Sequence, residues 1–210
     1  DAIDTPASLN TSDIEVNLKI ALSMPRRDGR LSLDDRNSLL ASMTDEVARL
    51  VLRNNYQQTL SLTLSERRGL EDLGFQQRLM QTLEARHLLD RKIEFLPDDL
   101  ELTERRRRSQ PLTRPELAVL LAYAKLTLYE DLLASKVPDD PYLARDLMRY
   151  FPPEVAKRFP DALERHRLRR EIIATQLTNS MINRGASTLV VRLADQTGAS
   201  TRDIESVIGE

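Results

Sequence analysis

The stretch T-R-P-E-L-A-V-L-L-A-Y-A-K-L-T-L-Y-E-D-L-L, from Thr113 to Leu133, decides how the rest of the chain is read. Thr113 with Glu116 three residues on is the pattern of a capping box. Pro115 falls in the first turn, where a missing N–H removes no hydrogen bond. Leu117, Leu120, Leu121, Ala124, Leu128 and Leu132 then recur three or four apart, which places them on one side of a helix. A strand would alternate with period two, and this stretch does not.

Helical spacing repeats on both sides of that stretch, punctuated by six glycines and ten prolines. Towards the N-terminus, a loop over Asp4–Ser12 leads into a helix from about Asp13 to Ser23. Ser12 and Glu15 form its capping box, and Met24-Pro25 stops it. After the turn R-R-D-G-R (Arg26–Arg30), helices are predicted over Leu33–Ser42, from Thr44 to near Gly69, and from Leu70 to Leu89. The run T-L-S-L-T-L (Thr59–Leu64) alternates, but it continues the Thr44 pattern without a breaker and reads as helix. Asn54, Asn55, Tyr56, Gln57 and Gln58 form a polar cluster within that helix. Towards the C-terminus, short helices follow Pro141 and Pro153. A long one runs from His166 to Arg184, closed by Gly185 as a left-handed cap. Thr188–Gln196 and Thr201–Ile208 complete the pattern. No hairpin signal and no solenoid-length repeat is present. The expected fold is all-α, an irregular multi-helix bundle with no substantial sheet.

Composition narrows the class further. Charged residues make up 30% of 210 and apolar residues 40%, the balance of a globular chain. The net charge is -2, so no whole-chain attraction to nucleic acid or to a membrane surface is expected. Of the 31 basic residues, 26 are Arg, which favours carboxylate pairing through the guanidinium fork. With no Cys, disulfides and thiolate metal sites are excluded, which fits a reducing compartment. The longest apolar run, Leu117–Ala124, is far short of a membrane span. The chain starts at Asp1 without Met and stops inside an apparent helix, so it is expected to be a piece of a longer polypeptide, truncated at its end.

Few residues suggest chemistry. His87 and His166 have no partner at metal-ligand spacing and read as surface or helix-flanking residues. Arg105, Arg106, Arg107 and Arg108 form a candidate anion-binding run, and Arg165–Arg170, bounded by Glu164 and Glu171, reads the same way. The competing reading is a solvated helix end, where cations suit the dipole. Asn179 and Asn183 lie four apart on one helix face and read as structural caps. No G-x-G-x-x-G or G-x-x-x-x-G-K turn occurs, and no nucleophile context is evident. The residues alone therefore predict no catalytic group, no metal and no cofactor within this chain.

Three stretches, in order, resemble the C-terminal region of the large bacterial NAD-specific glutamate dehydrogenases. They are D-A-I-D-T-P-A-S-L-N-T-S-D-I-E-V-N-L-K-I (Asp1–Ile20), L-T-R-P-E-L-A-V-L-L-A-Y-A-K (Leu112–Lys125) and R-R-E-I-I-A-T-Q-L-T-N-S-M-I-N-R-G (Arg169–Gly185), the last continuing as V-V-R-L-A-D-Q-T-G-A-S (Val190–Ser200). The resemblance implies a long cytoplasmic parent enzyme that oxidises L-glutamate with NAD, its catalytic groups lying upstream of Asp1. It implies that residues 1–24 are the last loop and helix of the catalytic domain and 25–96 a helical segment. A linker at 97–111 and a C-terminal helical domain at 112–210 would follow. The upstream catalytic domain is the implied partner, together with a homo-oligomeric contact. By the same resemblance, Ser12 would contact the substrate carboxylate in the full enzyme. Asp4-Thr5-Pro6-Ala7-Ser8 departs from the Asp-Asn-Ser-Ala-Gly expected in that loop, and Ile14 stands where His is expected. The alternative is a regulatory helical module recognising an acidic metabolite or partner through the arginine run.

Overall fold

A computed structural model describes residues 4–198, with side chains from residue 13 onward. Eleven α-helices and two short 3-10 turns make up the described residues, and no strand occurs among them. The all-α expectation holds.

The helices are α1 (Asp4–Arg27), α2 (Leu33–Ser42), α3 (Thr44–Arg68), α4 (Leu70–Ala85), α5 (Asp99–Arg107) and α6 (Arg114–Ala134). After 3-10 turns at Val137–Asp139 and Pro141–Leu143 come α7 (Ala144–Tyr150), α8 (Pro153–Arg158), α9 (Pro160–Glu164), α10 (Arg169–Gly185) and α11 (Leu189–Thr197). The chain divides into two compact units. Unit 1 holds residues 1–56 and 138–177, and unit 2 holds 57–137 and 178–210.

In unit 1, α1 turns Ile14, Leu18, Ala21 and Leu22 inward and packs on α9. Leu147, Phe151, Val155, Phe159 and Leu163 fill the space among α7, α8 and α9, with Ile172 and Ile173 of α10 also buried. Unit 2 is built on α6. All six residues of its predicted stripe are buried, and the Glu116 carboxylate accepts from the Thr113 N–H (2.6 Å) and hydroxyl (2.8 Å). Leu73, Met80 and Leu83 of α4 and Leu102 of α5 complete that core. The T-L-S-L-T-L run is helical within α3. Its serines face inward, with Ser61 Oγ donating to the Ile182 carbonyl and Ser65 Oγ to that of Ser61, while Leu60 and Leu64 are exposed.

Several boundaries differ from expectation for identifiable reasons. α1 begins at Asp4, so the expected loop over Asp4–Ser12 is helical backbone and Ser12 lies inside the helix rather than at its N-cap. Nothing in that stretch breaks a helix, because Pro6 falls in the first turn and no Gly is present. The helix runs past Met24-Pro25 and closes where Gly29 takes φ 71°, with Arg30 N–H bonded to the Pro25 carbonyl. α4 ends four residues early, at Ala85, because His87 turns left-handed (φ 58°) and Leu88 N–H reaches the Leu83 carbonyl. α10 starts at Arg169 because His166 Nδ1 accepts from Leu168 N–H ahead of it. Gly185 is not the left-handed cap; Ala186 is, at φ 64°. Gly185 serves packing instead, since a Cβ there would come within 2.6–2.7 Å of the Leu189 side chain. The predicted Thr201–Ile208 helix lies outside the described residues.

Candidate functional site

The arginine run forms the end of α5, and two of its four members are held by carboxylates. Arg105 bonds Glu101 through Nε and Nη2 (2.9 and 2.6 Å) and Glu116 through Nη1 and Nη2 (both 2.9 Å). Arg108 pairs with Glu104 at 3.1 Å. Arg106 and Arg107 have no carboxylate partner among the described residues. Burial pushes the Glu116 carboxyl up. The Arg105 guanidinium and both Thr113 donors outweigh burial and hold it below its usual range. The start of α6 is thus tied to the end of α5 by one shared carboxylate.

Unit 1 contains a polar cluster that the sequence reading did not anticipate. His166, read as a surface or flanking residue, is buried at 5% exposure. Its Nδ1 accepts from Leu168 N–H (3.1 Å), which leaves Nε2 to donate to the Asn17 carbonyl (3.1 Å). Burial pushes His166 down, so the ring stays neutral. Asn17 Nδ2 donates to Tyr150 Oη (2.8 Å) and to Asp13 Oδ1 (3.1 Å), and Tyr150 donates to Asp13 Oδ2 (2.7 Å). Burial and then the Asp13 carboxylate push the Tyr150 phenol up, which keeps it a donor. The bonds from Asn17 to Tyr150, from Tyr150 to Asp13 and from His166 to Asn17 each span more than 130 positions, so no local motif announces the cluster. His87, by contrast, is exposed.

Unit 2 encloses charge. Asp72 is fully buried, pairs with Arg192 and lies 3.7 Å from Arg68. Arg192 also stacks over the Phe75 ring. Lys125 of α6 donates to Asn179 Oδ1 at 2.9 Å, and burial lowers it to about 8. Asn179 is thereby a structural acceptor, and Asn183 is buried one turn further along α10. A groove of about 430 Å³ opens among α4, α6 and α11, floored by Leu79, Leu83, Leu128, Val190 and Val191. The ion pairs Arg78–Asp195 and Arg86–Asp131 belong to residues lining it. It offers apolar contact and closed ion pairs, and no nucleophile–base pair.

The Ser12 side chain lies outside the described residues. No cluster of three or more His, Cys, Asp or Glu side chains suited to a metal occurs among those described. A dinucleotide cradle needs a glycine turn between a strand and a helix. The described glycines instead end helices (Gly29, Gly69, Gly198) or lie within them (Gly74, Gly185), so they do not fit NAD. No described helix is long and apolar enough to cross a membrane.

Fold and site together define an α-helical protein whose buried polar groups tie helices to one another. Residues 109–208 match the family model for glutamate dehydrogenase, C-terminal, and residues 1–65 match that for the bacterial NAD-glutamate dehydrogenase catalytic domain. The chain is 48% identical over 204 residues to the NAD-specific glutamate dehydrogenase of Pseudomonas aeruginosa and 47% identical to that of Halomonas elongata. It is 37% identical over 203 residues to that of Mycobacterium tuberculosis. Each alignment covers 97% of this chain but only 12–13% of the relative. The chain belongs to the large bacterial NAD-specific glutamate dehydrogenase family and spans about an eighth of the length of these relatives.

Proposed function

We propose that this chain is the non-catalytic helical C-terminal part of an NAD-dependent glutamate dehydrogenase of the cytoplasm. The full enzyme would convert L-glutamate, NAD+ and water to 2-oxoglutarate, ammonium, NADH and a proton. The chain would pack on the catalytic domain and support assembly of identical subunits. On this reading residues 1–24 belong to the catalytic domain, and Ser12 meets the substrate carboxylate only when the rest of that domain is present. The carrying observation is that the identity extends over 97% of the chain while seven-eighths of each relative lies elsewhere. The site geometry agrees, because Arg105, Asp72, His166 and Lys125 each answer a helix neighbour and none faces a nucleophile.

The alternative, a regulatory module that binds an acidic ligand at Arg105–Arg108, draws less support, since Glu101, Glu104 and Glu116 already answer Arg105 and Arg108. The test is an assay of the isolated chain with glutamate and NAD beside the full-length enzyme. The expected result is turnover by the full-length enzyme only. NADH formation by the isolated chain would overturn the proposal.

A further inference from the structure

The loop between α4 and α5 presents a phenylalanine that neither its backbone nor its surroundings favour. Residues 90–94 form a helical turn. Leu96 N–H closes it by bonding back to the Arg91 carbonyl at 2.8 Å, which leaves Phe95 as the left-handed residue at φ 54°. Glycine is the usual occupant of that position, and a bulky side chain there is strained. Among the described residues three other non-glycine residues take positive φ, namely His87, Ser109 and Ala186, and none is as bulky. Burial gives Phe95 no compensation, since the residue is 89% exposed.

The loop around it is firmly anchored. Arg91, 8% exposed, donates to the Pro97 carbonyl (3.2 Å), to Asp99 (2.9 Å) and to Glu84 (2.7 Å). Asp99 also accepts from Gln77 and Gln81, and Tyr123 donates to Glu94 at 2.7 Å. Leu96 is buried. Each neighbour of Phe95 is thus fixed, and the ring is turned outward between them. Ile93, at 71% exposure, and Leu100, at 81%, stand near it in sequence on the same loop and the start of α5. A strained, exposed aromatic residue on a rigid support has the character of a recognition anchor.

We infer that Phe95, with Ile93 and Leu100, is a docking knuckle that inserts into an apolar cup on the catalytic domain of the same polypeptide. This deepens the packing role proposed above and rests on it. The occupant follows from position in the chain. Phe95 lies in the stretch 66–108, between the residues matched to the catalytic domain and those matched to the C-terminal region. A knuckle tethered this close to the catalytic domain meets it at high effective concentration, ahead of a second copy. The share of each relative outside the aligned region is large enough to supply the cup.

The test uses the full-length enzyme with a photo-crosslinking benzoylphenylalanine at position 95, irradiated and mapped by mass spectrometry. The expected product is one peptide of the catalytic domain joined within a single subunit. A crosslink between subunits, a crosslink to the C-terminal region, or no crosslinked peptide would overturn the inference. Phe95→Gly provides the second measurement, because it relieves the left-handed residue and leaves the chain free to fold. In the full-length variant, amide exchange of the captured peptide should accelerate about tenfold; unchanged exchange would also overturn the inference. Lysine crosslinking of the unmodified full-length enzyme separates the two claims. If it joins the helical region to the catalytic domain while position 95 captures nothing, the packing role stands and the knuckle falls. If it joins nothing, the packing role falls as well.

Discussion

In unit 1 the buried polar side chains Asn17, Tyr150 and His166 are neutral and bonded to one another, to backbone or to the exposed Asp13 carboxylate, whereas unit 2 buries the ions Asp72 and Arg91 and half-buries Lys125. The two solutions respond differently to damage. A neutral network loses roughly one hydrogen bond when one member is removed, about 1 kcal/mol. A buried ion whose partner is removed keeps its full desolvation penalty, about 3–5 kcal/mol. The contrast therefore predicts that unit 2 is the more sensitive to single substitutions.

The strongest test removes Arg192. Arg192→Met leaves Asp72 buried beside only Arg68, 3.7 Å away and part-exposed at the end of α3. Unfolding in urea, followed by circular dichroism, should show a loss of about 3 kcal/mol, and Asp72→Asn in the same background should restore part of it. An unchanged midpoint for Arg192→Met would show that the buried ion pair does not hold α11 to α4.

Lys125 should respond with the opposite sign. Its ammonium is half-buried against Asn179, and its folded pKa, about 8, lies below the ordinary lysine value of 10.5. Lys125→Met removes the desolvated charge and keeps the aliphatic bulk, so it should stabilise the chain by about 1–2 kcal/mol at neutral pH. The pH dependence follows from proton counting. Between about 8 and 10.5 the unfolded chain holds more protons at this site than the folded chain does, so stability rises with pH across that window. The rise should be absent from Lys125→Met, and a rise that persists there would assign it to another group.

In unit 1, Tyr150→Phe deletes a hydroxyl that donates to Asp13 and accepts from Asn17, while Asn17 Nδ2 keeps its bond to Asp13. The expected loss is about 1–2 kcal/mol by thermal denaturation, smaller than that for Arg192→Met. A loss as large as that for Arg192→Met would erase the distinction between the two units.

What could be read from sequence was local. The start and apolar stripe of α6 follow from Thr113, Pro115, Glu116 and the leucine spacing, and α2 occupies the predicted Leu33–Ser42. The helical reading of Thr59–Leu64 held because no breaker interrupts it. Long-range partnerships were not legible. His166 is buried because Asn17, 149 positions away, offers a carbonyl, and Asp72 meets Arg192 across 120 positions. Left-handed residues such as Phe95 and Ala186 were missed for a related reason. Neither is Gly or Asn, so composition gives no sign of the conformation. At Gly185 the signal was present and its meaning differed, because the missing Cβ makes room for Leu189.

The smallest effect concerns acid. His166 is packed against Phe151, faces the Asn17 carbonyl, and has Arg167 and Glu171 as its nearest charged influences. Burial sets its folded pKa below the ordinary 6.5, so in the interval below 6.5 the unfolded chain binds the extra proton and unit 1 loses stability as pH falls. In unit 2, Glu116 is also held below its ordinary value, but its window lies lower. Its contribution is complete above 4.5 and is lost only as pH falls through the folded value. On mild acidification, then, unit 1 should loosen before unit 2. Amide exchange compared between neutral pH and about pH 5, after correction for the intrinsic rate, should show faster opening of α1, α7 and α9 than of α4 and α6. His166→Asn keeps a polar side chain that does not titrate, so it should remove the acid-dependent part in unit 1 and leave unit 2 unaltered. Opening of α4 and α6 first would place the acid-sensitive group among the ions of unit 2, and the neutral network of unit 1 would then have no part in the response to acid.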